Sequence, residues 1–291
     1  MSDAWTYLLR WLPSPFLKAS FMLHVLSIGV LVVNLSLWPL VLTVLVADHL
    51  ILSTVGLAPG GTLLGPNLTR LTAASAARRE VALTIDDGPD PEVTPRVLDI
   101  LAAAGVRATF FCVGERVAAH PGLAREIVAR GHAIENHTAR HPYLFSLFGP
   151  WRLEREISDA QLTLYKVTGE APAFFRAPAG LRNPLLQPIL ARAGLRLASW
   201  TRRGFDKVRG DARGVERRLL AGLAAGDILL LHDGRAARTA DGTPVILTVL
   251  PGVLAAVSAA GLRTVTLREA FAPQGRPARG AAPSAATAAA S

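Results

Sequence analysis

Lysine and cysteine are almost missing from this chain of 291 residues. Lysine occurs only at Lys18, Lys166 and Lys207, so nearly all of the net charge of +9 is arginine. The arginines are scattered, with no basic strip interleaved with aromatics and no zinc-finger spacing, which argues against nucleic acid as a partner. A basic surface also suits an anionic membrane face or an acidic glycan. The one cysteine, Cys112, excludes an internal disulfide. It stands in the apolar stretch Thr109-Phe110-Phe111-Cys112-Val113 and reads as a small core residue. Charge is missing altogether from 25–46, a run long enough for ~33 Å of helix. A signal peptide has an apolar stretch of only ~7–15 residues and a small-residue cleavage site. The longer run here reads as an uncleaved membrane anchor within 21–58.

Two topologies are open to that anchor. A single span, the preferred reading, keeps the positive flank of Arg10 and Lys18 inside. It puts the rest of the chain on the outer, periplasmic side of a bacterial inner membrane. A hairpin turning near Asn34 and Pro39 places Asp48 near the middle of its second span, at a cost of roughly 2.5–3.5 kcal/mol. It also leaves Arg70, Arg78 and Arg79 inside, as the same rule prefers. Around the anchor, 1–20 is a flank, 59–78 is a linker rich in Gly, Pro, Thr and Ala, and 272–291 is an Ala/Pro/Gly/Ser tail expected to be disordered. The stretch 79–271 remains as the folded domain.

Within it, short apolar runs alternate with helical patterns. Strands are expected at 81–85, 108–113, 132–136, 173–176, 195–200, 227–232 and 263–267. Thr94-Pro95 opens a helix that Gly105 follows, and Asn183-Pro184 opens another that Gly194 closes. A third runs from near Pro121 to Gly131. A fourth covers 150–167, with Leu153, Ile157 and Leu164 inward and Arg152, Glu156 and Asp159 outward. Such alternation implies an α/β fold with a mostly parallel sheet, a distorted (β/α)7-type barrel, with an open doubly wound sheet as the runner-up. Polar residues fall at the strand ends: Asp86-Asp87 after the first, His137 after the third, Arg176 after the fourth, Asp206 after the fifth, His232-Asp233 at the sixth. In a parallel barrel those ends share one rim, where such folds build active sites.

Each piece alone has a bland reading. Asp86-Asp87-Gly88-Pro89 makes a good turn, and either of His137 and His141 could be a surface residue or a helix cap. Together, one carboxylate and two imidazoles four positions apart form the donor set of a divalent-metal site left open on one side. A second carboxylate stands beside it, free to handle protons. The joint pattern points to a metal-activated water and hydrolysis.

Thr84-Ile85-Asp86-Asp87-Gly88-Pro89, His137-Thr138-Ala139-Arg140-His141, Arg176-Ala177-Pro178-Ala179-Gly180, the segment from Trp200 to Asp206, and Leu229-Leu230-Leu231-His232-Asp233 resemble the five ordered motifs of the polysaccharide deacetylases, the NodB-homology domains of carbohydrate esterase family 4. The resemblance covers the soluble domain and nothing of the anchor. It implies a distorted barrel and a metal, zinc first, with cobalt or another divalent ion possible. The implied activity is removal of N-acetyl groups from an amino sugar in a cell-wall, exopolysaccharide or lipid-linked glycan. By resemblance Asp87, His137 and His141 hold the metal, and Asp86 is the general base. His232 is the general acid, Asp206 orients it, and Arg176 is a groove arginine that orients the base. A backbone N–H near Pro89 to Asp90 is expected to steady the oxyanion.

Three positions depart from the family pattern. Ile85 replaces an aromatic, Ala179 stands where many relatives carry a groove aromatic, and Asp206 is followed by Lys207 rather than tryptophan. Tyr143, Phe145, Phe148 and Trp151 are candidates for a substitute wall. A deformylase or deacetylase acting on a polyprenyl-linked sugar is a close variant. A silent membrane-tethered glycan-binding domain and a glycosidase using Asp86 and Asp206 are the competing classes.

Overall fold

The uncharged run at the amino end forms two helices rather than one. In the computed structural model, which describes residues 12–272, they are α1 (Pro15–Val33) and α2 (Trp38–Gly56). The break has a local cause. Asn34 leaves the helix in an extended conformation, and its Oδ1 accepts hydrogen bonds from Ser36 N at 3.1 Å and Ser36 Oγ at 2.7 Å. Pro39 then sits in the first turn of α2, where its missing N–H costs nothing. The two helices pack against each other, and Ser20 Oγ donates to Asp48 Oδ2 at 2.7 Å across the pair. That bond gives Asp48 a partner in a largely apolar hairpin.

The rest is built on eight parallel-paired strands: β1 (Glu80–Asp86), β2 (Thr109–Cys112), β3 (Ala133–Asn136), β4 (Phe174–Phe175), β5 (Arg196–Leu197), β6 (Arg202–Arg203), β7 (Ile228–His232) and β8 (Arg263–Val265). Their order is β5-β4-β3-β2-β1-β7-β6, with β8 pairing β1. This is the α/β barrel type read from the sequence, curled but not closed by strand pairing. β1 is its centre, and every residue of β1 is buried. Its odd positions Val81, Leu83 and Ile85 join the outer core with Val97, Leu98 and Leu101 of the helix Thr94–Ala103 and Val249, Leu250 and Val253 of the helix Val245–Ala259. Ala82 joins the inner core with Phe111, Phe174 and Ile228. The two-residue period of a strand therefore turns Ala82, Thr84 and Asp86 to the inside.

Two expectations change. β6 was not foreseen, because two arginines flanked by Trp200 and Gly204 carry no apolar run; Asp206 accordingly follows the sixth strand, not the fifth. The segment 59–78, expected as a linker, is docked on the domain. Leu64 and Leu71 are buried, Ala73–Ala77 is helical, and Leu68 bridges Ala198 while Arg70 bridges Asp227. Leu68 N donates to Leu197 O at 2.9 Å and Leu71 N to Gly226 O at 2.8 Å, so this segment lies along the seam that the strands leave open. The helix expected from Asn183-Pro184 starts at Leu186; the other three match closely.

At the inner end of β3, Glu135 is fully buried. Its Oε2 accepts from Ala173 N at 2.7 Å and Phe174 N at 2.8 Å, and its Oε1 from Arg268 Nε at 2.6 Å. Burial pushes its pKa above the usual carboxylate range, against the pull of Arg268 and the two amides. Removing one partner of such a buried pair strands the other charge. Arg268→Met should therefore cost about 3–5 kcal/mol, read as a lowered melting temperature in detergent. Adding Glu135→Gln to it should recover part of the loss, and an unchanged melt for the single variant would contradict this account.

Candidate active site

Strand register brings the first two chemical groups together. Asp86 at the end of β1 is the Cα partner of His232 at the end of β7. Beyond Asp86 the chain turns sharply: Asp87 has φ 75°, in the left-handed region, and Gly88 follows. A Cβ on Gly88 would lie 2.5 Å from both carboxylate oxygens of Asp233, so only glycine lets this turn settle on that residue. Asp233 is fully buried, and burial lifts its pKa to about 7, with the Thr94 hydroxyl donating to it at 2.5 Å and opposing that rise. Asp233 thus supports the turn from beneath. Its sequence context, His232-Asp233-Gly234, reads only as a strand end and carried no signal of this role.

Asp87, His137 and His141 converge as expected. Their candidate ligand atoms lie within 4.8 Å of one another and all three residues are buried; among the described residues one other such cluster exists, His24, Asp48 and His49 in the hairpin. Asp87 Oδ1 is 3.2 Å from His137 Nε2 and 3.0 Å from His141 Nε2. His137 Nδ1 lies 2.8 Å from the Arg176 carbonyl oxygen, to which it donates. This commits the ring proton to Nδ1, so the Nε2 lone pair faces the Asp87 carboxylate. Two acceptors at that separation need a cation between them. Burial draws the His141 pKa below the ordinary histidine range against the pull of Asp87, which favours the neutral, ligating form. Burial alone would raise Asp87, but the two imidazoles beside it hold its carboxyl far below the usual range, as a cation in their midst would. Asp87 Oδ2 and His141 Nδ1 lack hydrogen-bond partners. The residues fit a divalent metal.

Asp86 is buried beside this triad, its Oδ2 3.9 Å from His137 Nε2. Its Oδ1 accepts from Arg176 Nη1 at 2.6 Å. Arg176 was expected in a groove; it lies instead beneath the floor, with no exposed surface. It donates to Thr84 Oγ1 at 2.9 Å, Ala198 O at 3.1 Å and Ser199 O at 2.7 Å, with Phe111 packed on its guanidinium at 4.0 Å. On the far side, Asp206 accepts from both His232 N at 2.7 Å and His232 Nδ1 at 2.9 Å. Burial opposes a charged His232, but the Asp206 carboxylate outweighs it and the pKa is raised. Nδ1 is thereby committed, and Nε2 is left for a substrate. Asp206 has no exposed surface and stands behind His232, so it offers no second open carboxylate for glycosidase chemistry.

The cavity over these groups measures ≈ 250 Å³ and is lined by Asp86, Asp87, His137, His141 and His232, with Tyr143, Trp200 and Phe205 among its walls. A roomier one of ≈ 690 Å³ at the opposite ends of the strands is lined by residues such as Ala103, Val106 and Leu254 and gathers no comparable set. Of the substitute wall, Tyr143 lines the cavity, Phe145 and Phe148 are core residues, and Trp151 is 84% exposed. Ile85 is core, as its substitution allows. Glu156, expected outward, is buried; it accepts from Arg140 N at 3.0 Å and pairs with Arg140 Nη1 at 3.1 Å, pinning the loop between the two ligating histidines. The Asp90 N–H expected to steady an oxyanion donates to Thr94 Oγ1 at 2.7 Å instead. Lys207 does more than thin the aromatic platform. Its Nζ lies 2.5 Å from Asp87 Oδ2, outside hydrogen-bond geometry, on the open side of the triad. Its departure from the family pattern was the available signal.

Comparison with known proteins agrees with this geometry. The polysaccharide deacetylase family, matched as "Polysaccharide deacetylase", covers residues 73–198. A chitooligosaccharide deacetylase of Bradyrhizobium sp. (strain ANU 289) is 40% identical over 157 residues, covering 54% of this chain and 71% of the relative. A peptidoglycan-N-acetylglucosamine deacetylase of Bacillus cereus is 35% identical over 191 residues, covering 65% and 86%. Among solved structures, the peptidoglycan N-acetylglucosamine deacetylase Bc1960 superposes with a TM-score of 0.62 at 28% identity, covering 70% of this chain and 92% of that one.

Metal content separates the roles within the site. Asp87→Ala and His137→Ala should each lower the zinc retained after dialysis by about tenfold or more, whereas Asp86→Asn should keep it. Full retention in the first two would dismiss the triad.

Proposed function

Because the chain belongs to the polysaccharide deacetylase family, a family of hydrolases that act on acetamido groups, we propose that it is a metal-dependent N-deacetylase of an amino sugar, held to a membrane by its helical hairpin. The observation that carries this reading is the juxtaposition of the buried Asp87–His137–His141 cluster with Asp86 on one side and the Asp206–His232 pair on the other. The donor set of one carboxylate and two imidazoles favours zinc. Bound there, zinc would supply a Lewis acid and an acidified water.

The chain's own residues do the proton work. Asp86, held through Oδ1 by Arg176, presents Oδ2 to the cavity and takes a proton from the attacking water. A bond forms from the water oxygen to the acetyl carbon, and the carbon–nitrogen bond breaks. An amine leaves an amide carbon readily only when its nitrogen is protonated; His232 Nε2 provides that proton while Asp206 steadies the charged ring. Acetate and the free amino sugar result. N-acetylglucosamine, named in the relatives from Bacillus cereus and in Bc1960, is the first sugar to try.

The hairpin bears on location. Each of its helices has 19 residues, or ~28 Å, close to the thickness of a bilayer core. Two spans return the chain to the side on which it began. Arg10 precedes the hairpin, Lys18 stands in the first turn of α1, and Arg70, Arg78 and Arg79 follow the hairpin; with all five at one side, the positive-inside rule favours the cytoplasmic face. The outward placement belonged to the single span. A fluorescent protein fused at the carboxyl end should fluoresce and an alkaline phosphatase fusion should be inactive; the reverse pair would return the domain to the outer face.

For activity, solubilised protein with added zinc should release acetate from N-acetylglucosamine oligomers or peptidoglycan fragments and stop on chelation. Asp86→Asn should lower kcat by about 100- to 10,000-fold; most activity retained there would sink the base assignment. His232 must carry its proton, so the rate falls as pH rises through its pKa. Asp206→Asn removes the charge that raises that pKa, so the alkaline limb should move to lower pH; an unmoved limb would dismiss the pairing.

A further inference from the structure

The end of the hairpin is bolted to the wall of the catalytic cavity. Arg182 N donates to Gly56 O, the last residue of α2, at 3.2 Å, and its guanidinium donates to Gly61 O. Pro59 O accepts from Ser199 Oγ at 2.8 Å. A Cβ on Gly180 would lie 2.6 Å from Pro59 Cβ and 2.7 Å from Trp200 Cη2, so hairpin exit, Gly180 and Trp200 are in direct contact. Trp200 and the neighbouring Pro178 and Ala179 line the cavity. The other end of the hairpin meets the same place, since Ser14 Oγ donates to Leu63 O at 2.5 Å. Wherever the hairpin enters a bilayer, the mouth of the site is carried to its surface.

The residue after Arg182 extends this contact to a second surface. Asn183 Nδ2 donates to Ser146 O at 3.0 Å and to Phe148 O at 2.9 Å. The loop so held buries Phe145 and Phe148 but exposes Leu144 at 62% and Leu147 at 75%, and Trp151 follows at 84%. Three large, exposed apolar side chains stand next to the hairpin exit, and an indole of this kind is at home at a membrane–water interface. Tyr143, one residue before them, is part of the cavity wall, and Phe205 with Val208, 75% exposed, closes the wall with further apolar surface. Cations stand among them: Arg203 and Lys207 line the cavity, and Arg235 Nη1 lies 3.3 Å from Tyr143 Oη. Arg182 is itself buried and holds the hairpin exit through Gly61 O. Exposed apolar side chains beside cationic groups suit the acyl and phosphate layers of a bilayer.

We propose that Leu144, Leu147 and Trp151 seat the cavity mouth on the bilayer, and that the substrate is an N-acetylated amino sugar carried through phosphate on a membrane lipid. This rests on the deacetylase reading and names the substrate class for that same site. A polymer needs a long open groove, and two positions that would line one, Ala179 and Lys207, lack the aromatic side chains to stack its sugars. A lipid-held sugar needs only a small cavity that opens at the headgroups, with cations for the phosphate.

The test uses the full chain reconstituted in phosphatidylethanolamine–phosphatidylglycerol vesicles with zinc. Acetate release is measured from an N-acetylglucosaminyl-phosphoryl polyprenol in the same bilayer, from a phosphate-free glycolipid of equal chain length, and from dissolved chitotetraose. The phosphoryl lipid should be the best substrate. Leu147→Ser with Trp151→Ser should lower its kcat/KM by about tenfold or more, since two apolar contacts with the bilayer are lost, and leave chitotetraose unchanged. Equal losses on both, or a preference for chitotetraose, overturns the proposal; equal rates on the two lipids overturn the phosphate part. A second readout needs no turnover. The native cysteine is fully buried, so Leu147→Cys offers a single reactive thiol. A polarity-sensitive label there should be quenched by brominated lipid. The same label at Leu162→Cys, 52% exposed and ~16 Å further along the helix from Trp151, should not be. Equal quenching at the two positions overturns the membrane rim. Wild-type protein that cleaves none of the substrates while Leu147 is quenched removes the deacetylase reading and the substrate class with it, but keeps the rim.

Discussion

A guanidinium with no exposed surface lies under the floor of the site, and the arrangement above it depends on its neutralisation. Burial drives the Arg176 pKa down, and the Asp86 carboxylate at 2.6 Å works against that loss. An unpaired buried charge would be very costly. Arg176 therefore fixes one oxygen of Asp86 and, through Thr84 and the carbonyls of Ala198 and Ser199, the ends of β1 and β5. Its own carbonyl orients His137. One residue thus sets the direction of the proposed base and the tautomer of a candidate metal ligand. The pairing is worth more for position than for stability, because two charges taken from water recover little net energy.

The chemistry was legible in the sequence because it is carried by residue types that are expensive to bury. Asp86, Asp87, His137, His141, Asp206 and His232 have few other reasons to follow apolar strands, and all six meet around one cavity or directly behind it. Strand–helix alternation likewise exposed the architecture. What stayed hidden depends on side-chain direction across long separations. Glu156 sits at a helical position that reads as outward, yet it turns in to meet Arg140. Arg176 reads as a groove residue because a charged side chain is expected near water; its four acceptors come from segments that sequence spacing does not connect. β6 is too short and too basic to show an apolar pattern. The segment 59–78 reads as a linker because it is rich in Gly, Pro, Thr and Ala, and only the open seam of the sheet gives the backbone of Leu68 and Leu71 its partners.

Strain gathers where the ligands are. Asp87, Thr138 and His141 all adopt positive φ, at 75°, 67° and 55°, which side chains other than glycine seldom do. Such conformations persist only where surrounding contacts over-determine them. Here those contacts are identifiable: Asp233 beneath the first turn, Glu156 beside the histidine loop, and Asn136 Oδ1, which accepts from Thr138 N at 3.0 Å. The tight loops leave Nε2 of both imidazoles facing one carboxylate. Backbone geometry and donor geometry are two views of the same constraint.

The neighbour relation of β1 and β7 has a consequence for how the protein comes into being. Thr84 Oγ1 donates to Leu229 O across 145 positions of sequence, so Asp86, already paired with Phe111 of β2, lacks its neighbour His232 until most of the chain has been synthesised. The three candidate metal ligands, by contrast, have all been made by residue 141. A nascent or truncated chain ending before β7 possesses Asp87, His137, His141 and Asp206 but not His232, the proposed proton donor. Synthesis from the amino end therefore makes the hairpin first, supplies Asp87, His137 and His141 second, and completes the constellation last, when the late strand takes its place beside the early one.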